Sequence, residues 1–213
     1  MVSKTRDRLI EVARQLFARK GVENTTMLDI ANASSKGRRT IYTYFRNKRE
    51  IHQAVVEWES EQLVARERRI QQSSMTAAEK LESFFRTRFA LMFASEHERQ
   101  SDTLSLRNLL EWNRVSKARR LAARKELEIL KCILDEGVAH GEFDVIQARR
   151  ITSVVVVLVT ATYNPIVRQN LLTMGFLNQG SFDDIVQFLI TAVGDVSSGE
   201  ETSVAKTGLS VAD

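Results

Sequence analysis

The sequence predicts an all-α protein, with a small three-helix unit at the N-terminus and a larger helical body behind it. Three observations carry this reading. One proline and nine glycines in 213 residues leave few chain breakers. Apolar residues recur at spacings of three and four along most of the chain. Near the N-terminus, Thr26 and Asn47 each stand three residues before an acid, Asp29 and Glu50, in the capping-box arrangement that opens a helix.

From Arg6 to Lys20, Leu9, Val12, Ala13, Leu16 and Phe17 fall on one helical face between charges. Gly21 ends that helix as a left-handed cap, with Val22 behind it. Thr26 opens a short second helix offering Met27, Ile30 and Ala31 to a core, and Ser34-Ser35-Lys36-Gly37 closes it. Gly37 is an acceptable cap for a third helix, Arg38 to Phe45. There Ile41 and Phe45 share one face and Arg38, Arg39, Thr40, Tyr42, Thr43 and Tyr44 occupy the others.

Asn47 starts a longer helix through Ile51, Val55, Val56, Trp58 and Leu63 that leads into the body. Further helices are predicted over Thr76 to Ala94, Leu104 to Trp112 and Ser116 to Val138. Gly141-Glu142-Phe143-Asp144 reads as a turn whose Asp144 caps the next helix. Val154 to Val159 has strand propensity, but no second strand candidate exists to pair with it. A helix apolar on all sides is therefore expected over Val145 to Tyr163. Asn164-Pro165 kinks it or starts another, and Asp183 to Val193 forms the last helix. Residues 197–213, rich in Ser, Thr, Gly and Glu, read as a disordered tail.

The net charge of +4 is unevenly spread: residues 1–50 carry +7 and the remainder −3. A basic head on a mildly acidic body suits nucleic-acid binding by the head. The lone Cys132 excludes an internal disulfide framework and reads as a small buried hydrophobe, which fits a reducing cytoplasm. No apolar run approaches membrane-spanning length. No metal-ligand spacing, acid and base pair, nucleophile set or phosphate loop stands out, so neither an enzyme, a metal site nor a cofactor is expected. His52, His97 and His140 are scattered. Alternation with acids makes the run from Arg114 to Lys125 a solvated helix face.

Three helices with a tight turn between the second and third, within some forty residues, form the layout of a helix-turn-helix unit. Such a unit needs a third helix with an apolar seam inward and polar groups outward. Arg38 and Arg39 can read guanine edges or neutralise phosphates, and Thr40 and Thr43 can reach a base. Tyr42 and Tyr44 carry hydroxyls suited to phosphates, with packing as the other role open to Tyr44. Thr26 and Lys48, each at a helix start, would bind phosphate with free backbone amides. In the body, Phe85, Phe89, Phe93 and Trp112 are candidates to line a ligand cavity, although an aromatic stripe at helical spacing is more often core.

The run Thr25-Thr26-Met27-x-Asp29-Ile30-Ala31, followed by Thr40-Ile41-Tyr42-x-Tyr44-Phe45-x-Asn47-Lys48-x-Glu50, resembles the TetR/AcrR family of bacterial repressors. The resemblance spans about residues 6 to 56. It implies an all-helical homodimer with a DNA-binding domain (1–50), a helical ligand-binding and dimerisation domain (51–196) and the tail. Its partners would be double-stranded DNA, an unknown small-molecule effector, and a second copy held through helices near 145–170 and 181–195. A regulator or activator with no inducer is the alternative. The chain departs from the family in the turn: Ser35, Lys36 and Gly37 stand where Gly, a small apolar residue and Ser are usual, and Arg38-Arg39 replace a commoner Lys-Gly.

Overall fold

The computed structural model describes residues 2–94, 106–162, 167, 170, 171, 173–175 and 179–194. Its main helices are α1 (Val2–Lys20), α2 (Met27–Ala33), α3 (Arg38–Tyr44) and α4 (Lys48–Gln71). They are followed by α5 (Ala77–Ala94), α6 (Leu106–Ala139), α7 (Val145–Thr162) and α8 (Gln179–Gly194). The expected tail and the Asn164-Pro165 kink lie outside the described residues. Among those residues, no helix is long and apolar enough to cross a membrane.

The head has its own core. Leu9, Val12, Ala13, Leu16 and Phe17 of α1 meet Ile30, Ala31, Ile41 and Phe45, and α4 closes the cluster with Ile51, Ala54 and Val55. Gly21 takes φ 81°, the left-handed conformation that ends α1. The second core lies in the body, where Leu81, Phe84 and Phe85 of α5 pack on Leu130, Ile133 and Leu134 of α6. Val155 and Val159 of α7 and Val186 and Leu189 of α8 complete it.

The valine run is helical: Ile151, Val155 and Val159 turn inward one helical turn apart, while Val154 and Val157 face out. Two expected pieces, Leu104 to Trp112 and Ser116 to Val138, are instead parts of one helix wherever they are described, because no proline or glycine interrupts Leu106 to Glu136. Cys132 corrects another expectation, since it is exposed. Ile129, Leu130, Ile133 and Leu134 take the inward positions of α6 on either side of it. The segment before α5 holds a third capping box that the sequence reading did not single out. Glu79 N–H donates to Thr76 Oγ1 (3.2 Å) and Thr76 N–H to Glu79 Oε2 (2.9 Å).

Gly137 admits the Phe143 ring against the backbone of α6: a Cβ there would stand 2.1 Å from Phe143 Cδ2. Asp144 then caps α7, accepting from the N–H groups of Ile146 and Gln147 at 2.9 and 2.8 Å. Gly137→Ala gains about 1 kcal/mol of helix propensity, but forcing the ring out of the core is expected to leave a net loss of about 2 kcal/mol. Urea unfolding measures this, and an unchanged midpoint would show that the turn reshapes freely.

Candidate nucleic-acid interface

The interface is built from α2, the turn after it, α3 and the start of α4. Thr26 opens α2: its hydroxyl accepts from Asp29 N–H (3.1 Å) and donates to Asp29 Oδ2 (2.8 Å), and its own N–H donates to the same oxygen (2.8 Å). The backbone N–H and hydroxyl of Thr26 hold the Asp29 carboxyl below the usual carboxylate range. Ile30 and Ala31 anchor α2 in the head core.

Helix α2 ends in a Schellman arrangement. Ser35 N–H donates to Asn32 O and Lys36 N–H to Ala31 O, both at 3.0 Å. This closure needs a left-handed residue, and Ser35 supplies it at φ 55°. The departure from the family's usual turn residues therefore leaves a tight, hydrogen-bonded turn, with the strain carried by Ser35.

Gly37 then caps α3 in an extended conformation. Ile41 and Phe45 are buried in the head core, so the opposite face must be presented to solvent. Arg38, Arg39, Tyr42 and Thr43 are exposed and Thr40 is half-exposed. The Arg38 guanidinium lies 6.0 Å from the Tyr42 ring centroid, and Thr43 Oγ1 donates to Arg39 O (3.1 Å). Tyr44 is half-buried and packs against the head core.

Asn47 caps α4 by accepting from Glu50 N–H (3.0 Å), while the Glu50 carboxylate reaches back to Arg46 N–H (2.8 Å). Lys48 has a role that its place at a helix start did not reveal. Its ammonium donates to the carbonyls of Val22 (2.6 Å) and Glu23 (3.0 Å), tying α4 to the turn that follows α1. Two of its three N–H groups are thus engaged within the head.

The candidate ligand-lining residues do not form one site. Phe85 and Phe89 are buried and stacked in the body core, with Phe89 also 4.5 Å from Phe182 between ring centroids. The side chains of Phe93 and Trp112 lie outside the described residues. A cleft of about 290 Å³ runs elsewhere, between α4 (Glu61, Val64, Arg68, Arg69) and α6 (Lys125). The sequence reading also passed over a buried charged trio, Glu67 of α4, Arg88 of α5 and Glu126 of α6. Arg88 Nε lies 2.9 Å from Glu126 Oε2. Among the described residues, no cluster of His, Cys, Asp and Glu suited to a metal ion occurs.

Residues 9–55 match the model of the family described as bacterial regulatory proteins, tetR family. Residues 9–55 are thus similar to the DNA-binding unit of the tetR family. The match covers α2, α3 and the turn between them. Across 54 residues the chain is 41% identical to the transcriptional regulator TtgR of Pseudomonas putida, which is 25% of this chain and 26% of TtgR. A longer match, 27% over 144 residues, is to the transcriptional repressor KstR2 of Mycolicibacterium smegmatis and covers 65% of this chain and 67% of that one. The fold is similar to that of a transcriptional regulator from Cytophaga hutchinsonii, at TM-score 0.62 and 20% identity over 87% of this chain and 96% of that one.

Left-handed backbone costs a residue with a Cβ about 1–2 kcal/mol, partly offset by the freedom glycine would lose on folding, about 0.5–1 kcal/mol. Ser35→Gly should therefore stabilise the head by about 0.5 kcal/mol, read as a higher denaturation midpoint with unaltered secondary structure. A lower midpoint would mean that the Ser35 side chain contributes more than its backbone costs.

Proposed function

We propose that the chain is a dimeric transcriptional regulator of the cytoplasm, a repressor that a small-molecule effector releases from a pseudo-palindromic operator. The observation that carries this reading is the two-sided character of α3, with Ile41 and Phe45 sealed into the head and Arg38, Arg39, Tyr42 and Thr43 turned outward. Among the described residues neither Arg38 nor Arg39 has an acidic partner, so both guanidinium groups are available to DNA. In this reading Arg38, Arg39, Thr40 and Thr43 meet base edges in the major groove. Thr26, Tyr42 and Tyr44 meet the flanking phosphates, and Lys48 contributes its remaining N–H.

A second copy is favoured by the apolar residues left uncovered on α7 and α8. Val157 is 66% and Phe188 69% exposed, with Val154 beside them, on two helices that pack together. Covering that face with its twin would set two α3 helices in successive major grooves, about 34–36 Å apart or a little more. The resemblance to KstR2, itself a repressor, supports repression. The close stacking of Phe85, Phe89 and Phe182 favours the alternative of a regulator without an inducer, at that part of the body.

Footprinting on DNA upstream of the protein's own gene is expected to show a protected pseudo-palindrome. Arg39→Ala should weaken it about tenfold or more; unchanged affinity would remove α3 from the reading role. Phe188→Asp is expected to convert the dimer to a monomer in sedimentation velocity, with its secondary structure retained. A dimer that persists would place the interface elsewhere.

A further inference from the structure

Glu67, Arg88 and Glu126 come from three different helices and meet in the interior of the body, with Glu67 and Glu126 each 0% exposed and Arg88 4%. Arg88 Nε lies 2.9 Å from Glu126 Oε2, and Arg88 also donates to Val159 O of α7 (3.3 Å). Neither carboxylate oxygen of Glu67 has a hydrogen-bond partner among the described residues. The charges that act on it come from Arg88 of α5 and Glu126 of α6, while its neighbours along α4, Arg66 and Arg68, are exposed. Two carboxyl groups thus share one guanidinium. With both ionised, the interior would hold an uncompensated negative charge, which is far more costly than a neutral acid. One proton removes that charge. Glu126 has Arg88 against it, so the proton belongs on Glu67.

We propose that the trio is a proton-operated clasp between α4 and the body: a proton on Glu67 lets this turn of α4 seat against α5 and α6, and release of the proton favours a turn that has moved out to water. The burial and the charge count set this direction. An ionised Glu67 is stable where water or an unmatched cation reaches it, and the guanidinium beside it is already matched by Glu126. A protonated Glu67 is neutral, and its O–H can serve a neighbouring oxygen. Since α4 runs unbroken from Lys48 to Gln71, the clasp acts on the same helix that completes the head core.

The titration of the trio supports this reading. Burial, and secondarily the charge of Glu126, pushes the Glu67 carboxyl up to about 9 against the opposing effect of Arg88. Burial also raises Glu126, to about 7, where the charge and hydrogen bond of Arg88 oppose it. Between those two values the seated trio holds one proton and is neutral. A turn that has moved out to water has its carboxyl in the usual range and has already released that proton. Seating therefore takes up a proton, and each unit of rising pH from the usual carboxylate range to about 9 favours the open turn about tenfold, levelling off above.

The clasp requires neither an operator nor an effector, so it stands apart from the regulator reading. The infrared spectrum of the full-length protein at pH 8 should contain the carbonyl band of a protonated carboxyl, which fades toward pH 10.5 and is missing from Glu67→Gln. Hydrogen exchange, followed by mass spectrometry, compares wild type and variant at the same pH so that intrinsic rates cancel. In peptides from the second half of α4, the rate of the wild type relative to Glu67→Gln should climb about tenfold per pH unit between pH 7 and 9. Peptides from α1 should keep a constant ratio. Glu67→Met, which replaces the carboxyl by an apolar group of similar length, should show the same dependence.

No protonated band at pH 8, a band that survives in Glu67→Gln, or a pH-independent ratio in α4 would overturn the clasp. The band and its fading are read on the unaltered protein, so misfolding of the variants does not protect the proposal: a band undiminished at pH 10.5 overturns it as well.

Discussion

Helix α4 contributes side chains to two hydrophobic cores, and it does so from opposite faces. Ile51, Ala54 and Val55 complete the head, whereas Leu63, Val64 and Glu67 are buried further along, where the helix runs beside the body. At about 100° of rotation per residue the centres of these two arcs lie roughly 170° apart. A rigid rod held on one side by the head and on the other by the body cannot be adjusted in one core without being felt in the other. That constraint couples the two halves more directly than a flexible linker would, since α4 is continuous from Lys48 to Gln71.

The start of α4 is also where the outward face of α3 is aimed. Phe45 seats the end of α3 in the head core, Asn47 caps α4 two residues later, and Lys48 ties the same turn to the carbonyls of Val22 and Glu23. These contacts lie within four residues of chain, which makes the orientation of α3 relative to α4 stiff. A displacement of α4 thus carries the head as a unit. The arginines of α3 need no rearrangement of their own for their position relative to the body to change.

The parts of this arrangement that were legible in the sequence are those set by local chemistry. The capping box at Thr26, the Asn47 cap of α4, whose Glu50 reaches Arg46 N–H rather than the expected Asn47 N–H, the left-handed glycine at position 21 and the Ile41 and Phe45 seam depend on residues within one or two turns. What escaped notice depends on residues distant in the chain, or on a rule being broken. Lys48 finds its carbonyls 25 and 26 residues back, which no spacing pattern encodes. Ser35 adopts a conformation for which glycine is the usual sign, because the 6→1 and 5→2 hydrogen bonds of the turn override its own preference. Glu67, Arg88 and Glu126 resemble surface charges in a chain that has many, and only the packing of three helices reveals them as interior.

That trio is also placed where it bears on the coupling. Glu67 lies on the body-facing arc of α4, nearly opposite the residues that grip the head, so the body holds the helix partly through a group whose hydrogen-bonding needs it does not meet. A well-packed leucine at that position would fix α4 against the body more firmly, since a buried ion pair or carboxyl commonly stabilises less than an apolar replacement of similar volume. Retaining the acid leaves one contact of the body with α4 weak and open to change by whatever completes it. An occupant that binds only when α4 sits in one of two positions shifts the population toward that position by its difference in affinity for the two, and by no more. Since the head is fastened to the same rod, that difference is the whole free energy available at this position for altering how the head is held.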